Sequence, residues 1–258
     1  MTDPFARFRL TRRVAVVTGG GGGIGRATGL TLAAAGAAVA VWDRDLAQAD
    51  AVAEAIGQAG GTARAYRCDV TDEVSVGTAT AETVRDLGGL HVLVNNAGIA
   101  LRAPSTDLSL ADWDAVVAVN MTGVFLCSRH AARIMMPTGG GAIVNMASIM
   151  GLSGGGLYPN LSYQATKGAV VNLTRALAVE WAGVGIRVNA VAPTWVRTEF
   201  IGPLLADPAL VAKIESATPL GRMAEPQDIA DAVLYLAGPA SGMVTGHTLA
   251  VDGGFLAQ

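Results

Sequence analysis

Short apolar runs alternate with longer Ala- and Leu-rich stretches along the chain. Val14–Val17 and Ala38–Trp42 are apolar throughout and of strand length, whereas Ile24–Ala35 and Leu46–Ala59 have the length and composition of helices. Further strands are expected at Ala63–Arg67, His91–Val94, Ala142–Met146, Ile186–Val191 and Thr248–Val251, with helices between them. Strands without a polar face need cover on both sides, and the strand–helix–strand rhythm supplies it. The expected fold is therefore α/β, a Rossmann-like doubly wound parallel sheet with helices on both faces. No repeat, charge block or linker interrupts the pattern, and the glycine-rich spots Gly19–Gly23, Gly139–Gly141 and Gly154–Gly156 read as local loops, so a single domain is expected over residues 1–258. Ligands of such sheets bind at the carboxyl ends of strands, which directs attention to the segments just after them.

After the first strand comes Thr18-Gly19-Gly20-Gly21-Gly22-Gly23-Ile24-Gly25, with a helix opening at about Gly23. Glycines there let the backbone turn tightly and approach a pyrophosphate, while free N–H groups at the helix start face the anion. Five glycines in a row could be merely a flexible loop; the position between strand and helix favours a dinucleotide. Asp43 follows the second strand about twenty residues on, where a carboxylate accepts from a ribose 2′-hydroxyl and repels a 2′-phosphate, favouring NAD. The alternative is a loop or N-cap acid, and the adjacent Arg44 could contact a phosphate. Tyr163 and Lys167 lie at i and i+4 near the start of a helix running to about Trp181, so phenol and ammonium share a face and the cation can lower the phenol pKa. Alone this pair is a weak signal; Ser148, just after the fifth strand, and Asn120, within a preceding helix, strengthen it.

Composition narrows the partners. Charged residues make up 15% and the net charge is −3, so no basic surface is indicated for nucleic acid or an anionic membrane. A mean hydropathy of +0.42 reflects a buried sheet, because the apolar segments are short and broken by Gly, Asn, Asp and Arg. The lead-in Met1–Arg13 is followed by no apolar signal region, which makes the cytoplasm the expected location. Two cysteines, Cys68 and Cys127, and three scattered histidines show no metal-ligand spacing, and free thiols and no metal are expected.

The spacing Thr18, Gly19, Gly23, Gly25 resembles the short-chain dehydrogenase/reductase family, and the resemblance extends from about Val14 to Phe255. It covers Asp69-Val70, similar to the family's adenine-binding pair; Asn95-Asn96-Ala97-Gly98, similar to a motif that stabilises the central sheet beside the cofactor; and Asp252-Gly253-Gly254 near the C-terminus. The resemblance implies that Ser148 positions the substrate oxygen, Tyr163 is the general acid/base, Lys167 tunes Tyr163 and holds the nicotinamide ribose, and Asn120 anchors a water linking Lys167 to solvent. It also implies that Pro193, Val196 and Thr198 border the nicotinamide, with Thr198 contacting its carboxamide, and that the protein is a homotetramer; Thr198 can equally be a helix N-cap. Two departures stand out: the loop Ile149–Ser162 is about two residues longer than is usual and contains Tyr158, and Thr194 stands where the family commonly has glycine.

The expected activity is NAD-dependent hydride transfer to or from a secondary alcohol or ketone. Expected pocket walls, Ile149, Met150, Leu152, Leu157, Tyr158, Trp195 and Phe200, carry few charges, which favours a neutral alcohol, polyol or sugar derivative; Arg197 is the nearby cation, and Thr194, Ser153 or Asn160 is available for a second hydroxyl. A 3-oxoacyl-thioester reductase and a non-catalytic cofactor sensor are the competing readings. Asp43 and the low charge argue against the first, the intact Ser148, Tyr163, Lys167 and Asn120 set against the second.

Overall fold

In the computed structural model, which describes Asp3, residues 5–155 and residues 157–258, seven strands form one parallel sheet in the order β3-β2-β1-β4-β5-β6-β7. Gly156 of the Gly154–Gly156 loop and Met1, Thr2 and Pro4 of the lead-in lie outside the described residues. The strands are β1 (Val14–Thr18), β2 (Ala38–Asp43), β3 (Thr62–Arg67), β4 (Val92–Asn95), β5 (Gly141–Met146), β6 (Ile186–Pro193) and β7 (Thr248–Val251), so all seven expected strands are present.

Around the sheet run α1 (Gly23–Ala34), α2 (Leu46–Gln58), α3 (Glu73–Leu87), α4 (Leu110–Val117), α5 (Gly123–Met135), α6 (Leu161–Trp181), α7 (Gly202–Leu205), α8 (Pro208–Ser216) and α9 (Pro226–Ala237). Every residue of β1 and β4 is buried, as strands covered on both faces require. Val17, Val39, Val41, Ile56 and Val233 pack on one face of the sheet; Val16, Trp42, Leu93, Ile143 and Met135 pack on the other. Each such side chain contributes about 1.5–3 kcal/mol by leaving water.

The chain steps outward from β1 to β3, then returns to lay β4 on β1's other side. That reversal leaves a crevice above the carboxyl ends of β1 and β4, where the Gly19–Gly23 turn and Asn95-Asn96 stand. Below it a polar chain crosses the core: Asn95 Nδ2 donates to Ser128 Oγ (2.9 Å) and Asn145 Oδ1 (2.8 Å), and Asn145 Nδ2 donates to Thr174 Oγ1 (2.9 Å). These bonds tie β4 and β5 to α5 and α6, and so fix the height of the site above the sheet.

Asn120 does not lie in ordinary α-helix. Residues Ala118–Thr122, between α4 and α5, are wound as a π-helix, a form that redirects a side chain and is frequent at functional sites.

Candidate active site

The glycine turn is shaped by close approach. A Cβ on Gly25 would stand 2.1 Å from the Gly19 carbonyl oxygen and 2.7 Å from Asn96 Nδ2, while Gly19 and Gly23 adopt positive φ of 58° and 47°. Asn96 closes the turn by donating its amide to the carbonyls of Thr18 (3.0 Å) and Gly19 (2.9 Å). Thr18 Oγ1 in turn accepts from the N–H groups of Asn96 and Ala97, both at 3.0 Å. Gly25→Ala is therefore expected to cost about 1–3 kcal/mol of stability by overpacking, read as a lowered Tm, and to weaken cofactor binding with it.

Helix α1 begins with no side-chain cap and no acid in its first turn, so its leading N–H groups are available to an anion. These groups open into a cleft of about 1140 Å³ that runs from Gly21, Arg44 and Gln48 to Ser148, Tyr158, Tyr163 and Trp195. The uncapped helix start and the Cβ-free turn at one end, with a phenol, an ammonium and a hydroxyl at the other, fit a nicotinamide dinucleotide.

Among the residues singled out from the sequence, Gly19, Gly23, Ile24, Asn96, Ala97, Gly98, Ser148, Tyr163, Lys167, Pro193, Val196 and Thr198 line the cleft. Thr18, Gly25 and Asn120 stand behind it, bracing the backbone. Asp43 accepts from Gly21 N–H through Oδ2 and from Asp45 N–H through Oδ1, both at 3.0 Å, which ties β2 to the glycine turn. Asp69 lies in a neighbouring depression with Arg44, Arg67 and Asp72, its carboxylate held by Thr71 and its pKa lowered by those hydrogen bonds. Val70 packs inward against Gly123. Thr198 reaches Gly23, 3.1 Å from where a Cβ would be, and its hydroxyl donates to the Val196 carbonyl and does not cap the turn that follows.

Ser148 caps a 3-10 turn over Ile149–Gly151, its Oγ accepting from Met150 N–H at 3.1 Å. Lys167 is buried and donates from Nζ to the Met146 carbonyl at 2.6 Å, standing 5.4 Å from the centre of the Tyr163 ring. Burial pushes the Tyr163 phenol up to about 12, against the pull of the Ser148 hydroxyl and the Arg102 charge. The same cause brings Lys167 down to about 8. Asn120 clamps one residue twice, accepting from Ile99 N–H (2.8 Å) and donating to the Ile99 carbonyl (2.9 Å).

The expected walls divide. Ile149, Met150, Tyr158, Trp195 and Phe200 line the cleft, with Asn160 and Thr194. Leu152 is 41% exposed and outside the cleft lining, Leu157 packs under the wall, and Ser153 is spent on the Ile149 carbonyl. Trp195 is wedged by the C-terminal segment: Phe255 meets its ring edge-on at 5.3 Å, and Asp252 holds that segment through the N–H groups of Gly254 and Leu256, both at 2.9 Å. Arg197 is not the cation of this site. It pairs outward with Glu215 at 2.7 Å and Glu225 at 3.6 Å, while Arg102, which nothing in the local sequence marks, lines the cleft.

A family model described as enoyl-(acyl carrier protein) reductase matches residues 19–256. Cis-4-hydroxycyclohexanecarboxylate dehydrogenase of Sinomonas cyclohexanicum is 47% identical over 247 residues, covering 95% of this chain and 97% of that one. D-threitol dehydrogenase of Mycolicibacterium smegmatis is 40% identical over 248 residues, covering 96% and 94%. A gluconate 5-dehydrogenase from Burkholderia cenocepacia, solved with NADP and tartrate, superposes with a TM-score of 0.95 at 37% identity over 99% of this chain and 100% of that one. A 7α-hydroxysteroid dehydrogenase solved with NADH and 7-oxo glycochenodeoxycholic acid superposes at 0.93, with 35% identity over 98% of each chain. With matches along nearly its whole length, this chain belongs to the short-chain dehydrogenase/reductase family of oxidoreductases acting on CH–OH groups.

Proposed function

We propose that the protein is an NAD-dependent dehydrogenase that oxidises a secondary hydroxyl of an alcohol, polyol or sugar derivative, or reduces the matching ketone. The observation that carries this reading is the convergence of Ser148, Tyr163 and Lys167 on one end of a cleft whose other end is an uncapped helix start. The nicotinamide, when bound, supplies the acceptor or donor of the hydride. In oxidation the Tyr163 oxygen takes the proton of the substrate hydroxyl, and in reduction it returns one to the forming alkoxide. Ser148 holds the substrate oxygen in place. Lys167, with Nζ 5.4 Å from the centre of the Tyr163 ring, is the group available to the nicotinamide ribose; the groups that pull the phenol pKa down against burial are Ser148 and Arg102, where the sequence points to Lys167. Asn120 fixes the Ile99 backbone and stands beside Lys167 across Gly98, which supports the role of holding a water that links Lys167 to solvent. Dehydrogenases of cis-4-hydroxycyclohexanecarboxylate, threitol and gluconate among its relatives support a hydroxyl-bearing small molecule over a 3-oxoacyl thioester.

Asp43 supports NAD, since its carboxylate sits where β2 ends beside the glycine turn. Asp43→Ala is expected to lower the NAD-to-NADP ratio of kcat/KM by about 10-fold or more, leaving Arg44 to meet a 2′-phosphate; an unchanged ratio refutes the assignment. Exposed Phe125 on α5 and Val179 on α6 support self-association as a homotetramer, and we place the protein in the cytoplasm. The activity itself is tested by offering neutral secondary alcohols, galactitol, threitol, gluconate, cis-4-hydroxycyclohexanecarboxylate and a 3-oxoacyl thioester with each cofactor while following nicotinamide absorbance. A kcat/KM advantage for the thioester overturns the reading.

A further inference from the structure

Arg102 lies on the loop between β4 and α4 and lines the cleft at the end that holds Ser148 and Tyr163. Its guanidinium carbon stands 5.5 Å from the centre of the Tyr158 ring. That ring is itself pinned, because Trp195 Nε1 donates to the Tyr158 hydroxyl at 2.8 Å. Stacking satisfies the face of a guanidinium and leaves its in-plane donors free. Here the Nε–H is buried and has no hydrogen-bond partner, and no carboxylate of the described residues forms an ion pair with Arg102. Arg102 as a whole is half-buried and lines the cleft, and neither of its terminal nitrogens bonds to a described residue, so the outer edge of the guanidinium is free to take an acceptor that enters there.

The position is also held in advance. Asn120 clamps Ile99 through both of its backbone groups, only three residues before Arg102. The other charges of the cleft have other places: Arg26 and Arg44 stand at the glycine-turn end, as does the carboxylate Glu199, 4.0 Å from where a Gly23 Cβ would be, and Lys167 is bonded to the Met146 carbonyl. Two more polar atoms of the same end lack partners. Asn160 Oδ1 and Thr194 Oγ1 are buried and unbonded, and both residues line the cleft.

We propose that Arg102 is a specificity-determining residue that binds a carboxylate carried by the substrate, so that within the class of secondary hydroxyl compounds the preferred substrates are hydroxy acids. A neutral polyol leaves the guanidinium unpaired; a hydroxy acid pairs it. Arg102 also stands close enough to Tyr163 to pull its phenol down against burial, which places the carboxylate site and the proton-transfer group in one compartment.

The proposal rests on the hydroxyl-oxidation reading above, and a matched pair of probes separates the two. Cis-4-hydroxycyclohexanecarboxylate and its carboxamide have the same shape and differ in charge. Wild-type enzyme is expected to favour the acid in kcat/KM, and Arg102→Gln to lower the acid-to-amide ratio by roughly 10–100-fold; any loss that comes through the Tyr163 phenol falls on both probes alike and cancels in that ratio. Arg102→Lys, which keeps the charge without the fork, retains part of the preference. Equal loss on both probes in Arg102→Gln, no acid preference in the wild type, or faster oxidation of a neutral polyol than of any hydroxy acid overturns the proposal while leaving the hydroxyl-oxidation reading intact. If no hydroxyl compound reduces either nicotinamide cofactor, the underlying reading itself fails.

Discussion

Tyr163→Phe is expected to lower kcat by roughly 10²–10⁴-fold, the range that removal of a general acid/base produces, while cofactor affinity changes by no more than about two-fold. The ring keeps its packing against Phe200, with centroids 6.1 Å apart, so the variant loses a hydroxyl and no structure. The pH profile follows from the direction of the shift. Burial raises the phenol to about 12, so at neutral pH nearly all of it is protonated. Alcohol oxidation needs the phenolate and is expected to accelerate by up to about 10-fold per pH unit through the neutral range, whereas ketone reduction uses the phenol and stays flat there. Turnover near the wild-type rate in Tyr163→Phe would remove this residue from the chemistry.

Lys167→Met separates activity from stability. Loss of the ammonium beside the phenol is expected to lower kcat by roughly 10²–10³-fold. Stability moves the other way. An unfolded lysine keeps its proton to about 10.5, but burial brings Lys167 to about 8 in the folded chain. Between those values unfolding takes up a proton, so native stability rises with pH across that window; below it the fold carries the full cost of a buried ammonium, about 3 kcal/mol. The methionine variant has no such charge. Its Tm at pH 7 is expected to exceed that of the wild type, and its stability between pH 8 and pH 10.5 to lack the rise that Lys167 gives. A fall in Tm at pH 7 would show that the 2.6 Å bond to the Met146 carbonyl outweighs the cost of desolvation.

The sheet was legible in the sequence because burial on both faces leaves no freedom in residue type: β1, β2 and β4 to β6 are apolar almost throughout, and their bounds agree with the apolar runs to within a residue or two. The glycine turn was legible for a related reason, since a backbone that passes 2.1 Å from a would-be Cβ admits only glycine at Gly25. Tyr163 and Lys167 were readable as a pair because four residues of helix set their shared face. Asn145, by contrast, shows only as an amide inside an otherwise apolar strand, and its partners Asn95, Ser128 and Thr174 come from three other elements.

Packing decided the rest. The π-turn at Asn120 depends on how α4 and α5 meet α6, which local spacing does not report. Whether Arg102 or Arg197 lines the cleft was equally beyond the sequence, since both are single arginines in irregular segments. Arg197 finds Glu215 from α8 and turns outward; Arg102 finds the Tyr158 ring and a clamped loop, and turns in. The sequence marked the hydroxyl, phenol and ammonium that the cleft brings together, because strand ends and helix spacing are local properties. Only the tertiary structure decided which arginine lines the cleft, because an ion pair or a stacked ring depends on residues brought from distant parts of the chain.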